Sequence, residues 1–245
     1  MAETAWTKPG SGANVAGGDE TWSSPTRITA DNGLTADTGF LGSLETSDYL
    51  YGDNFGFSLS TSATIDGVEF RFERSNAFST DGDIEDHTVQ LVNASAVRFG
   101  NNKAVSGTWP GSLTLSTVYG GSTDLWGTTT LTPELVNDPD FGVQVRCEVT
   151  SGFFLIGSVD YFELKIHYTA PASLDLEGFR IRNDDGNESS ASWRQAQDVD
   201  DTIGSTTTFR IRFLVDATGD PDAGTFTLQA KGSTESTAFW QTITT

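Results

Sequence analysis

Carboxylates at alternate positions form the clearest candidate metal site in the sequence. Asp81, Asp83 and Glu85 are separated by single residues, and calcium-binding loops supply oxygen ligands at such a spacing. The segment departs from the EF-hand pattern, because Gly82 is misplaced and the twelfth position is Val92 instead of glutamate. A solvated acidic loop is the alternative interpretation. We therefore treat the three acidic residues as calcium candidates and expect no other cofactor.

Two tryptophans are candidates for contact with a glycan or a protein partner. Trp109 precedes a Pro-Gly pair, and Trp126 lies in the sequence Asp-Leu-Trp-Gly, so turn chemistry surrounds both. Sugars stack on exposed aromatic rings, which is the functional interpretation. The alternative is that the two indoles close the ends of a β-sandwich as part of its core.

Catalytic constellations are missing from the sequence. Glycoside hydrolysis needs two facing carboxyl groups, one of them with a raised pKa. Glu69, Glu73 and Glu163 lie on strand faces predicted to point outward, where we expect neither pairing nor desolvation. A Ser-His-Asp triad would depend on His87 or His167, and no Gly-x-Ser-x-Gly motif accompanies them. We predict that the protein is not an enzyme.

Apolar residues alternate with polar ones along most of the chain, which predicts β-strands. Such alternation covers residues 68–73, 141–149, 162–168 and 209–215. It places Cys147 on an inward face as an inert thiol, and it places His87 there with Val89 and Leu91. The predicted core of the larger domain includes Phe70, Phe72, Val143, Val145, Phe162 and Leu164.

The alternation predicts an all-β protein of two domains. An Ala-Pro-Ala segment at residues 170–172 follows a long strand and precedes new ones, and its proline stiffens the joint. Residues 1–169 would form a jelly-roll-like β-sandwich that anchors the protein. Residues 173–245 would form a smaller immunoglobulin-like β-sandwich that projects from it.

Charge and hydropathy argue against two classes of partner. The chain has 34 acidic residues against 14 Lys and Arg, a net charge of −20, which repels phosphate backbones and disfavours nucleic acid. The apolar run at residues 153–156 is far shorter than the roughly 20 residues of a membrane helix. The first residues lack the basic and apolar regions of a secretory signal, so we expect synthesis in a cytoplasm without membrane insertion.

Two sets of motifs resemble known families. In the first domain, the motifs lie at residues 4–9, 47–50, 54–57, 63–68, 119–127, 141–143, 158–160 and 166–169. Their order along the chain resembles that of a β-sandwich domain of tailed-bacteriophage structural proteins. The second resembles a small module of phage and bacterial surface proteins, through GFRIRNDDG at 178–186, Trp193, AQD at 196–198 and FRIRF at 209–213.

The resemblance implies a virion structural protein without enzymatic activity. Its form would be an exterior capsid decoration or a head fibre, and its partner the major capsid protein or another virion protein. The alternatives are a tail fibre or appendage, or a lectin-like module that binds host-surface glycans. Decoration and fibre proteins commonly assemble about local symmetry axes, so we expect a homo-oligomer, with a trimer preferred. Because the copies repel one another, an apolar patch must support docking and assembly.

Overall fold

The computed structural model describes residues 1–93, 97–129, 131–187, 189–204 and 207–218, together with two short strands at 229–230 and 241–242. The chain divides into two compact units, Met1–Ala170 and Pro171–Thr245. Almost all regular structure is strand, so the prediction of an all-β protein is confirmed. Within the described residues, no helix is long and apolar enough to cross a membrane.

The elements of the first unit lie in this order: β1 (Ala2–Glu3), β2 (Ser11–Val15), β3 (Trp22–Ser23), a 3-10 helix (Pro25–Thr29), β4 (Ala36–Thr38), β5 (Tyr49–Asp53), β6 (Thr64–Asn76), β7 (Gly82–Asn93), β8 (Val97–Phe99), β9 (Thr114–Leu115), β10 (Tyr119–Gly121), α1 (Pro133–Val136), β11 (Gly142–Gly152) and β12 (Gly157–Thr169). The second unit holds β13 (Ser173–Asn183), β14 (Phe209–Thr218), β15 (Gln229–Ala230) and β16 (Gln241–Thr242).

Two antiparallel sheets form the first unit. The first sheet has the strand order β10-β6-β12-β4-β3, with β1 paired to β12 and β9 paired to β6. The second has the order β2-β5-β11-β7-β8. Long strands carry alternating apolar residues, so each sheet presents one apolar face to the core between the sheets.

The core of the first unit contains all six residues of the predicted core. Phe70, Phe72, Phe162 and Leu164 come from the first sheet and Val143 and Val145 from the second, and all six are fully buried. Phe70 and Phe162 meet edge to face with their ring centroids 5.1 Å apart, a favourable aromatic geometry. Cys147 is buried as predicted, and burial raises the pKa of its thiol to about 12.

A β-bulge changes the parity of β7 and corrects the prediction for His87. β7 pairs with β11, where Arg146 lies opposite Thr88 and the next residue, Cys147, lies opposite Asp86. His87 therefore has no partner across the ladder. The extra residue shifts the pleat, so Asp86 is buried while His87 remains partly exposed. The interpretation of His87 as a core residue is therefore wrong, and a carboxylate occupies the inward position instead.

In the second unit, β13 and β14 form an antiparallel ladder. Ser173 pairs with Thr218 at one end of it, and Asn183 pairs with Phe209 at the other. Residues 192–198 lie along the other edge of β13, because Asn183 N–H donates to Ser192 O and Arg194 N–H donates to Ile181 O. β15 pairs with β16.

Candidate functional site

The calcium candidates engage separate protein partners. Asp81 is exposed in a turn, Asp83 accepts a hydrogen bond from the Ser151 hydroxyl at 2.8 Å, and Glu85 accepts one from Gly107 N–H at 3.3 Å. Over the part of the chain that the structure describes, no group of three or more His, Cys, Asp or Glu is arranged to hold a metal ion. The alternating carboxylates therefore do not converge on a common point, because a strand spreads them along its length.

Neither candidate tryptophan presents a ring face to a ligand. Trp109 is 2% exposed and Trp126 is fully buried. The Trp109 indole N–H donates to Asp86 at 2.8 Å, and that of Trp126 donates to Val68 O at 2.9 Å. The expected contact with a glycan or partner is incompatible with this burial. Both rings are parts of the sandwich core, as the alternative interpretation held.

A buried polar network joins the two sheets next to Trp109. The Asp86 carboxylate on β7 forms an ion pair with Arg74 on β6 and accepts a 2.6 Å hydrogen bond from the Tyr119 hydroxyl. Burial and the neighbouring Asp86 raise the pKa of Tyr119, so its phenol stays neutral and can donate. The network is sealed from solvent, so its role is to hold the sheets together and not to meet a substrate.

The outer face of the first sheet carries a charged layer that the N-terminal segment covers. Glu163 accepts from Lys8 at 2.9 Å and pairs with Arg71 at 2.7 Å. Lys165 and Arg71 both lie over the ring of Trp6, at 4.8 and 4.2 Å from its centroid. The expectation that Glu163 is neither paired nor desolvated is wrong, because the sequence gives no sign that residues 2–8 would cover this face.

A second bulge, between β6 and β12, brings the carboxyl groups of Glu73 and Asp160 together. Phe72 pairs with Phe162 and Arg74 with Val159, so Glu73 alone lies opposite Asp160 and Tyr161. Burial and the charge of Asp160 raise the pKa of Glu73. Asp160 is 1% exposed, so no substrate can reach its carboxylate. The pair therefore does not satisfy the requirements for glycoside hydrolysis, which acts through two accessible carboxyl groups.

Exposed phenylalanines gather at one end of the first unit. We call this surface the aromatic end: Phe40, Phe78, Phe153 and Phe154, which are 57%, 39%, 66% and 72% exposed. The Phe40 ring contacts those of Phe78 and Phe154, in each case with 6.3 Å between centroids. Large apolar side chains that touch one another in solvent mark an interaction surface more often than scattered ones.

The strand register explains how three distant segments build the aromatic end. Phe40 follows β4, Phe78 lies between β6 and β7, and Phe153 and Phe154 lie between β11 and β12. Gly157 at the start of β12 pairs with Asn76 at the end of β6, and the next residue pairs with Asp37 of β4. The three connections therefore meet at the same end of the sandwich.

Backbone strain accompanies this exposure. Phe154 has a φ of 61°, and Leu44 on the neighbouring turn has a φ of 65° and is 79% exposed. Left-handed backbone costs about 1–2 kcal/mol for a residue with a side chain. Backbone strain and side-chain exposure therefore coincide at both residues.

Three acidic residues lie on the segments that form the aromatic end. Residues 39–45, 77–83 and 151–156 contain Glu45, Asp81 and Asp83 but neither Lys nor Arg. Asp81 closes the turn that presents Phe78, since its N–H donates to Phe78 O at 2.9 Å. The surface is therefore apolar at its centre and negative at its margin.

Sequence reasoning missed the aromatic end, although one signal was present. Phe153 and Phe154 are adjacent, which breaks the alternation of the flanking strands, and they follow a Ser-Gly turn signal. We interpreted this run only as too short for a membrane helix. Phe40 and Phe78 carry no comparable signal, because only the tertiary fold brings them to Phe154.

Comparison with known proteins yields no relative: no protein-family model, no curated protein and no solved structure matches the chain.

Proposed function

We propose that this protein is a non-enzymatic structural protein of a tailed-phage virion, either a decoration or a short fibre on the exterior of the head. The single observation that carries the docking role is the aromatic end of the first unit. Its four phenylalanines are exposed, the Phe40 ring contacts those of Phe78 and Phe154, and Phe154 has a strained backbone. The phage setting rests on the resemblance of the sequence motifs described above.

The partner that fits the aromatic end is a protein surface on the assembled shell. An apolar centre requires an apolar counterpart, and the acidic margin requires a cationic one. The major capsid protein or another virion protein with an apolar patch inside a ring of Lys or Arg would satisfy both. A tail fibre or appendage would use the same surface on a different partner.

The net charge of −20 shapes how copies assemble. Charge repulsion opposes self-association in solution, while attachment to a shell brings copies to fixed positions about its local symmetry axes. We propose that the protein forms a homo-oligomer on the particle, preferably a trimer. Each copy would be held in place by the contact between its aromatic end and the shell.

Binding to shells tests this proposal. Particles from a phage lacking the gene for this protein would be incubated with the purified chain and sedimented. Complete burial of a phenylalanine is worth about 1.5–3 kcal/mol, so the exposed fractions of Phe40 and Phe154, 57% and 72%, imply about 1–2 kcal/mol each. The double variant Phe40→Ala/Phe154→Ala should therefore bind roughly 30-fold more weakly or worse.

The matched control is Leu34→Ala/Val118→Ala, which removes apolar side chains exposed by 54% and 46% outside the aromatic end. This control should bind as the wild type does. A mainly apolar dock should also survive 1 M salt, in which the Debye length falls from about 10 Å at 0.1 M to about 3 Å. Equal binding by both double variants, or complete release in 1 M salt, would contradict the proposed dock.

A further inference from the structure

Four arginines share one face of the β13–β14 ladder in the second unit. Arg180 pairs directly with Arg212, and Arg182 pairs directly with Arg210. Residues two apart on a strand point the same way, and directly paired residues lie on the same side. The four therefore project from one face, in a chain with only 14 Lys and Arg against 34 acidic residues.

The direct arginine pairs bring like charges together on this ladder. Like charges directly opposite one another destabilise a ladder, and here two such pairs are adjacent. Arg210 has a partner in Asp184 at 2.7 Å, but its side chain is 55% exposed. The ladder therefore concentrates positive charge on one face, within an otherwise acidic chain.

An aromatic ring orders part of the cluster. The guanidinium groups of Arg180 and Arg212 lie 4.3 and 5.3 Å from the centre of the Trp193 ring. Arg180 Nε also donates to Gln195 O at 3.0 Å. Planar guanidinium groups that stack on an aromatic ring are held in a fixed orientation, so less conformational freedom is lost when they bind a ligand.

Two shallow surface depressions follow the same face. Arg180, Trp193, Gln197 and Arg212 line the first together with the apolar Phe179, Phe213 and Leu214. Arg182, Arg210 and Arg212 line the second together with Ile211 and Phe213. Arg182 is only 2% exposed, so it adds positive charge from within the protein. The arginines thus border a concave strip that can accommodate a narrow ligand.

We propose that this arginine face, formed by Arg180, Arg182, Arg210 and Arg212 beside Trp193, binds a carboxylate-bearing glycan. A guanidinium fork matches a carboxylate with two parallel hydrogen bonds. The Gln197 side chain at the margin supplies an amide for sugar hydroxyls. The inference goes beyond docking on a shell, because it concerns the second unit and a different class of ligand.

A glycan fits better than nucleic acid. The whole chain is strongly negative, with a net charge of −20, so a long phosphate polymer would be repelled wherever it passes the rest of the molecule. Proteins that bind single strands stack successive bases on several aromatic rings, whereas the described part of this face offers Trp193. A short acidic oligosaccharide meets only the arginine face.

The test measures binding of a galacturonic acid tetramer to the full chain by calorimetry at low salt. The methyl-esterified tetramer has the same rings without the charges, and a single-stranded oligonucleotide of equal charge represents the phosphate alternative. We expect binding of the acid, at least tenfold weaker binding of the ester and the oligonucleotide, and loss of affinity as salt rises.

Three variants locate the site. Arg210→Gln removes an exposed charge, and Arg180→Lys keeps the charge but loses the planar fork; each should weaken binding about tenfold. Arg27→Gln removes an exposed arginine of the first unit and should leave affinity unchanged. Thermal unfolding confirms that each variant is folded, and the comparison of acid with ester needs no variant. No binding of the acid, equal binding of the ester or oligonucleotide, or wild-type affinity in Arg210→Gln would overturn the proposal.

Discussion

Replacing Arg74 with methionine tests whether a desolvated ion pair holds the two sheets of the first unit together. Arg74 on β6 and Asp86 on β7 belong to different sheets, and their side chains are 9% and 0% exposed. Methionine matches much of the arginine stem but removes the charge, so the variant isolates the effect of leaving Asp86 without its cation.

The expected loss of unfolding free energy is about 3 kcal/mol. Removing one partner of a buried ion pair generally costs about 3–5 kcal/mol, because the other charge stays buried. Asp86 would keep the hydrogen bonds from the Tyr119 hydroxyl at 2.6 Å and the Trp109 indole at 2.8 Å, which places the loss at the lower end of that range. Such a loss is a large fraction of the roughly 5–15 kcal/mol that stabilises a typical domain.

Urea unfolding of the full chain gives the measurement, with the larger unit assigned from its steeper dependence on urea. The matched control is Lys103→Met, because Lys103 pairs at 2.6 Å with Asp124 and both side chains reach solvent, at 25% and 33% exposure. Exposed ion pairs contribute about 0–1 kcal/mol. The double variant Arg74→Met/Asp86→Asn should lose less than the sum of the single variants, since contacting residues are coupled.

The reasoning would be refuted by a loss below about 1 kcal/mol in Arg74→Met, which is the range of an exposed pair. Strict additivity in the double variant would refute it as well, because it would mean that the two charges do not interact.

Three further predictions concern the first unit. Phe70→Ala should cost about 3–5 kcal/mol in urea unfolding, because the ring is fully buried; a loss below about 0.5 kcal/mol would mean that its strand faces the other way. The Cys147 thiol should resist alkylation in the native state and react quickly in urea, since burial raises its pKa to about 12; rapid native labelling would contradict its burial. The raised pKa of Glu73 means that the folded state keeps this proton after the unfolded chain has released it. Its stabilising contribution is therefore complete below the ordinary glutamate pKa and is lost as pH rises through the raised value. Glu73→Gln should abolish that loss in urea midpoints measured from pH 4 to 8, and parallel curves for the variant and the wild type would contradict this.

The sequence alone determined the fold class and the core of the first unit. Phe70 and Phe72, and likewise Phe162 and Leu164, alternate with charged residues, and a strand turns successive side chains to opposite faces whatever its partners are. The burial of Cys147 followed from the same local rule. Local periodicity needs no knowledge of the rest of the chain, which is why these predictions succeeded.

Bulges lie outside that local rule. The inward position of Asp86 depends on how β7 meets β11, and the closeness of Glu73 to Asp160 depends on how β6 meets β12. A one-residue change of register moves every following side chain to the other face. The register between two strands cannot be predicted from the sequence of one strand alone.

At the aromatic end and the arginine face, too, the sequence predicts the local strands, but only the tertiary structure brings the surface residues together. FRIRN at 179–183 and FRIRF at 209–213 could be recognised as strands, but only their pairing places Arg180 opposite Arg212. Trp109 and Trp126 resembled exposed turn residues and are buried, whereas Phe40, Phe78 and Phe154 lie in connections and are exposed. Strand identity and inward parity follow from local alternation, but whether a loop residue is covered depends on which distant segments pack beside it, and only the tertiary structure decides that.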